Sequence, residues 1–123
     1  MEVNISNNDS ILTTVKKLIG LDEEYEAFDQ DILIYINSIL FELEQIGLKS
    51  KEGFVLSDKT AVWLDYTDDE RILNVLKPYV YLKTKLIFDP PTSSSVADSI
   101  NKVADRFEWR IHMYAETGGE IND

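Results

Sequence analysis

Apolar residues recur at helical spacing in four stretches of this chain. The first runs from about Asp9 to Ile19. There Ile11, Leu12, Val15, Leu18 and Ile19 make one stripe, and Gly20 supplies the stop. The second runs from about Asp29 to Ile46, with Ile32, Tyr35, Ile36, Ile39, Leu40, Leu43 and Ile46 in line and Gly47 at its end. Either Asp29 or Asp31 can cap it, because a carboxylate accepts orphan amide hydrogens and suits the helix dipole. The third opens on the capping box "TDDE", with Thr67 as cap and Glu70 reaching back, and continues to Phe88. Pro78 removes one ladder bond and predicts a kink near residues 74–78. The fourth runs from about Ser94 to Glu116, carrying Val96, Ile100, Val103, Ala104, Phe107, Ile111 and Tyr114.

Between the second and third helices, residues 48–66 break this rhythm. "FVL" at 54–56 is short and extended in character, "SDK" reads as a turn, and "TAVWLDY" carries a tryptophan. A structureless loop of this length is uncommon in a compact domain. The pattern predicts a small strand or hairpin, or a turn of 3₁₀ helix, pinned by Phe54 and Trp63. The fold class is therefore mainly α, a four-helix bundle-like domain with a short extended or hairpin insertion between helices 2 and 3. The 123 residues form one domain, with residues 1–8 and 116–123 expected as tails that are flexible or ordered by a partner.

Some apolar residues do not fit these stripes. Ile34 and Phe41 lie opposite the core face of the second helix, seven residues apart and so nearly aligned. Tyr81 and Phe88 do the same in the third, and Trp109 and Met113 leave the stripe of the fourth. Two explanations stand open: a central helix touching two neighbours within one bundle, or an interface with another subunit or partner. Lys83 falls inside the main stripe of the third helix, among Tyr79, Val80, Leu86 and Ile87. It must snorkel to solvent or meet a carboxylate, such as one from another subunit.

The turn "LIFDPPTSSSVAD" is unusually heavily punctuated. Pro90 drives Asp89 out of the helical region, and Pro91 does the same to Pro90. Ser94 or Ser95 is the expected cap of the next helix, with Asp98 completing a box on Ser95. Asp89, Pro90, Pro91, Ser94 and Ser95 thus make a stiff structural corner.

Composition removes several classes of function. The chain has no cysteine and one histidine, His112, so disulfide scaffolds, thiolate metal sites and histidine-based triads fall away. "DQD" at 29–31 lacks the glycine and the glutamate of a calcium loop, and no glycine-rich phosphate loop is present. No catalytic residue, cofactor or metal is expected, and the chain does not read as an enzyme. No apolar run has the length of a membrane span, and "MEVNISNNDS" has neither the basic start nor the apolar core of a signal peptide. The expectation is a cytosolic chain starting at its own Met1. The net charge of −11 opposes sequence-independent DNA binding. Six acids fall in "DEEYEAFDQD" at 22–31, which reads as a solvated face.

"YVYLKTKLIFDPPTSSSVADSINKVADRFEWRI" at 79–111 resembles the C-terminal half of head–tail connector (adaptor) proteins of long-tailed phages and prophages of Gram-positive hosts. Their pattern is a tyrosine-rich helix, Phe-Asp-Pro-Pro, a Ser/Thr cluster, and a helix ending in Glu-Trp-Arg. "DILIYINSILFELEQIGL" at 31–48, "FVLSD" and "WLDY" are similar to earlier parts of that pattern. The resemblance implies a non-enzymatic virion protein of the neck, assembled in the host cytoplasm. Such proteins form a homo-oligomeric ring, generally of twelve copies, under the portal protein. The ring links the capsid to a stopper or tail-completion protein and encloses the channel through which double-stranded DNA passes. The rival reading is a small acidic regulatory or inhibitory protein that binds one host or phage partner.

Overall fold

The computed structural model, which describes residues 6–117, turns the four stripes into helices and adds a one-turn fifth. In order they are α1 (Ile11–Leu18), α2 (Asp29–Gln45), α3 (Trp63–Tyr66), α4 (Glu70–Phe88) and α5 (Ser94–Thr117). The expected tails fall partly outside the described residues, at 1–5 and 118–123. The helix α4 is central: α1, α2 and α5 all pack against it. Its Ile72, Leu73, Leu76, Tyr79 and Val80 are fully buried and share one core with Ile11 and Val15 of α1 and Ile32, Ile36 and Leu43 of α2. Pro78 sits inside α4 without ending it.

The insertion holds no strand among the described residues. Its backbone groups find partners elsewhere. Leu56 gives its carbonyl to the Asn37 side chain of α2 (2.9 Å), and the Phe54 amide turns back to Lys51 O (3.1 Å). With those groups satisfied by a helix and a turn, no row remains for a hairpin. The segment 61–64 pairs instead with the chain before α1. Ile11 N donates to Ala61 O (3.0 Å), Trp63 N to Asp9 O (3.3 Å) and Leu64 N to Asn7 O (3.0 Å), around a single antiparallel bridge between Ser10 and Val62. Trp63 and Phe54 are the pins, as the pattern predicts. The Trp63 indole is buried and donates to Thr14 Oγ1 (3.3 Å), and Phe54 meets Tyr66 edge-on with ring centroids 5.0 Å apart.

Two helix starts differ from expectation. Thr67 does not cap α4: its hydroxyl accepts from the Asp69 amide (3.2 Å), and Asp69 becomes the cap, accepting from Arg71 N (2.9 Å). The box fails because the helix begins at Glu70, so Glu70 sits too early to reach back. At α2 the cap position belongs to Phe28, with no side-chain bond. Asp31 is exposed, and Asp29 turns inward to meet Lys16 of α1, whose Nζ lies 2.8 Å from Asp29 Oδ1. Lys16 is 1% exposed and also donates to Glu23 O (2.8 Å). An ammonium this deep costs too much to leave unpaired, so a carboxylate that could have capped α2 is drawn to it instead.

Both predicted glycine stops adopt positive φ, Gly20 at 92° and Gly47 at 111°. At Gly47 there is a second demand: an added Cβ would lie 3.1 Å from Ala115 Cβ, so the end of α2 touches the last turns of α5.

Lys16→Ala strands the Asp29 carboxylate inside the protein and should cost roughly 3 kcal/mol in urea unfolding. The paired change Lys16→Met with Asp29→Leu should recover stability to within about 1 kcal/mol of the natural protein. A loss below about 0.5 kcal/mol for the single variant, the size of an ordinary surface change, would mean that water already reaches the pair.

Candidate functional site

The candidate site is a set of apolar surfaces rather than a cleft with reactive groups. On α2, Ile34 and Phe41 are each 61% exposed, although neighbours on the opposite face are fully buried. Seven residues apart, they stand about 10.5 Å from each other along one line of the helix. Asp31 and Glu42 flank them, and α2 carries no lysine or arginine at all.

On α5, Trp109 is 63% exposed. It borders a shallow hollow of about 400 Å³ with Ile46, Asp105, Glu108 and His112. His112 Nε2 lies 3.1 Å from Glu116 on the next turn. Met113 is half-buried. Toward the other end of the α4–α5 hairpin, a second open hollow of about 330 Å³ is lined by Leu82, Ser95, Val96, Ser99, Ile100 and Val103.

The remaining sequence candidates divide differently. Tyr81 and Phe88 pack partly against the core, and the Phe88 ring meets Phe28 edge-on at 5.1 Å between centroids. Lys83 is half-buried near the end of α4, where the core has thinned. The structure does not bring all of these residues into one patch. Ile34 and Phe41 occupy one surface, and Trp109 and Met113 another helix. Sequence reasoning missed Val55, Ile87 and Val96, exposed at 68%, 48% and 49%. Val96 and Ile87 lie on main stripes, so periodicity alone marks them as core. The missing information is that the core ends before the corner does.

That corner is built largely as expected, with one shift. Asp89 closes α4, its amide donating to Lys85 O (2.8 Å), and Pro90 and Pro91 follow in trans. The cap of α5 is Ser93, whose Oγ accepts from Val96 N (3.4 Å). Ser94 and Ser95 therefore lie inside the first turn, and Ser95 Oγ sits 3.0 Å from Ser93 Oγ. Any of several adjacent serines satisfies a cap by type. The length of the Pro-Pro-Thr link selects the earliest.

Among the described residues, no group of three or more His, Asp or Glu is placed to hold a metal ion, and no helix is long and apolar enough to cross a membrane. The family model described as "Phage connector protein" matches residues 11–118. The chain belongs to that family. Among curated proteins and solved structures, none matches it. Membership makes this connector a structural component of the phage head–tail junction, in the neck of the virion. It also fits the surfaces above, since a connector works through contacts with other phage components.

At the far end of the connector from its corner, a polar clasp fixes α5 to the start of α4. The Tyr114 hydroxyl donates to Asp69 Oδ2, while Asp69 Oδ1 caps α4. One carboxylate thus serves two helices. The Tyr114 bond holds the Asp69 carboxyl below its ordinary range; desolvation opposes it, and the bond from the Arg71 amide adds to it. Burial, then the hydrogen bond to Asp69 and its charge, push the Tyr114 hydroxyl up to about 12.

The signs define a window. Because the Asp69 value is depressed in the folded state, its contribution is full above the unfolded value of about 4 and is lost as pH falls through the folded one. Because the Tyr114 value is raised, its contribution is full below about 10 and is lost as pH rises toward 12. Tyr114→Phe should cost about 1 kcal/mol at neutral pH, the site being partly exposed. It should also flatten the stability curve at both edges. Parallel acid and alkaline unfolding curves of the two proteins would give the answer, and identical edges would remove the clasp from the account.

Proposed function

We propose that this protein is a non-enzymatic ring subunit of the phage neck. Twelve copies of it, by the resemblance, sit under the portal protein, join the capsid to a stopper or tail-completion protein, and surround the DNA exit channel. The observation that carries this reading is the family match over residues 11–118. Large apolar side chains left on two helices support it. Covering Ile34, Phe41 or Trp109 stabilises an assembly by roughly 1.5–3 kcal/mol per side chain. The net charge of −11 supports a channel that DNA passes without binding, since binding requires cations that displace phosphate counterions.

Negative-stain microscopy of the protein mixed with its portal tests the reading. Rings seated on the portal are expected. A folded, monodisperse monomer that ignores the portal would instead support the small acidic regulator. A basic channel wall in an assembled ring would contradict the account of DNA passage. Phe41→Ala and Trp109→Ala should each weaken assembly about tenfold or more, as buried aromatic anchors do. Folding stability should change by no more than about 0.5 kcal/mol, as expected for exposed positions. A large fall in melting temperature with assembly unchanged per folded molecule would place these side chains in the core instead.

A further inference from the structure

The two apolar surfaces away from Trp109 match each other in length and in charge. The hollow between α4 and α5 has a floor running from Val96 to Val103, seven residues, or about 10.5 Å of helix. The ridge on α2 from Ile34 to Phe41 has the same seven-residue span. Helical periodicity places Lys102, Arg106 and Arg110, spaced four apart and all exposed, along the Ser99–Val103 edge of the hollow. Lys85 follows Leu82 by one turn on the α4 side. The acids of α5 lie beyond this basic row, on the side away from the hollow, with Asp98 and Asp105 one turn either side of Lys102. A basic rim is notable in a chain of net charge −11. The α2 ridge is its converse: Asp31 and Glu42 stand beside it and Glu44 lies farther round, with no lysine or arginine on α2, while Asp29 is taken up by Lys16.

We propose that a second copy of this chain occupies the α4–α5 hollow, inserting Ile34 and Phe41 of its α2 between the basic edges. The contact is heterologous, because the ridge and the hollow are different surfaces of one subunit. Each copy therefore keeps a free ridge and a free hollow, and the contact propagates until it closes. The apolar pair provides the attraction. The opposed charges set register and disfavour a cationic partner. This inference rests on the reading of the chain as an assembling subunit and names the surfaces that meet.

The chain has no cysteine, so introduced thiols report alone. Two double variants of the full chain, Ser38→Cys with Ser95→Cys and Ser38→Cys with Ser99→Cys, place thiols on the ridge and in the hollow while leaving Ile34 and Phe41 intact. Ser38→Cys with Asp105→Cys, away from the hollow, is the control. Each is oxidised with the portal protein present and run without reductant. At least one test pair should give a ladder of linked multimers, and the control should stop at dimers. Arg106→Glu should reduce the ladder about threefold, as expected for an exposed ion pair, and Glu42→Arg should restore it. Rings on the portal with no ladder from either test pair, or with a control ladder equal to theirs, overturn this pairing while leaving the ring reading intact. Absence of rings and ladders together overturns both.

Discussion

A helix packed by three others decides where every remaining surface must lie. Because α1, α2 and α5 all rest on α4, each of them has one inward face and one outward face, and among the described residues no other helix covers the outward ones. The short α3 and its flanking loop are already committed, through Trp63 and Phe54, to sealing one side of the core. The exposed pair on α2 and the exposed indole on α5 are therefore consequences of the packing, and adding them to the same core would require a fifth long helix. The same arrangement explains why α5 is so lightly anchored. Over its length only Ala104 and Ile111 are fully buried, so its outer surface is free to carry alternating charge and aromatic groups.

Charge follows the same division. Acids crowd residues 22–31, the exposed side of α2 and the 65–70 approach to α4, while seven of the twelve bases lie on α4 and α5. Where a charge does enter the interior, it is held by a partner of opposite sign, as Lys16 is by Asp29. Among the described residues the interior holds one such ion pair, and the surface carries a pattern in which sign varies from face to face.

The main stripes were legible because helical burial repeats with a period that one sequence displays. Val15, Ile36, Tyr79 and Val80 all fall where the spacing puts them. The outward pair Ile34 and Phe41 was legible for the same reason, as departures from that period. Other features depend on distance between segments and leave no local mark. Lys16 reads as a surface lysine until α2 brings Asp29 to it. The Asp69 clasp requires Tyr114, which is 45 residues away. Asp69 and Ser93 win their caps over Thr67 and Ser94 by a shift of one or two positions, which side-chain type alone does not resolve. The hollow on α4 and α5 was hidden because Val96, Ile100 and Val103 look like core, and only the tapering of the bundle exposes them.

The two tryptophans end in opposite settings. Trp63 is sealed in the core with its indole nitrogen bonded to Thr14, and Trp109 stands largely in water on α5. Their fluorescence is correspondingly divided. A small quencher dissolved in the buffer reaches Trp109 and not Trp63, and the apolar surroundings of Trp63 shift its emission to the blue of its counterpart. The protein thus carries two intrinsic optical reporters, one for the integrity of its interior and one for the occupancy of its outer face.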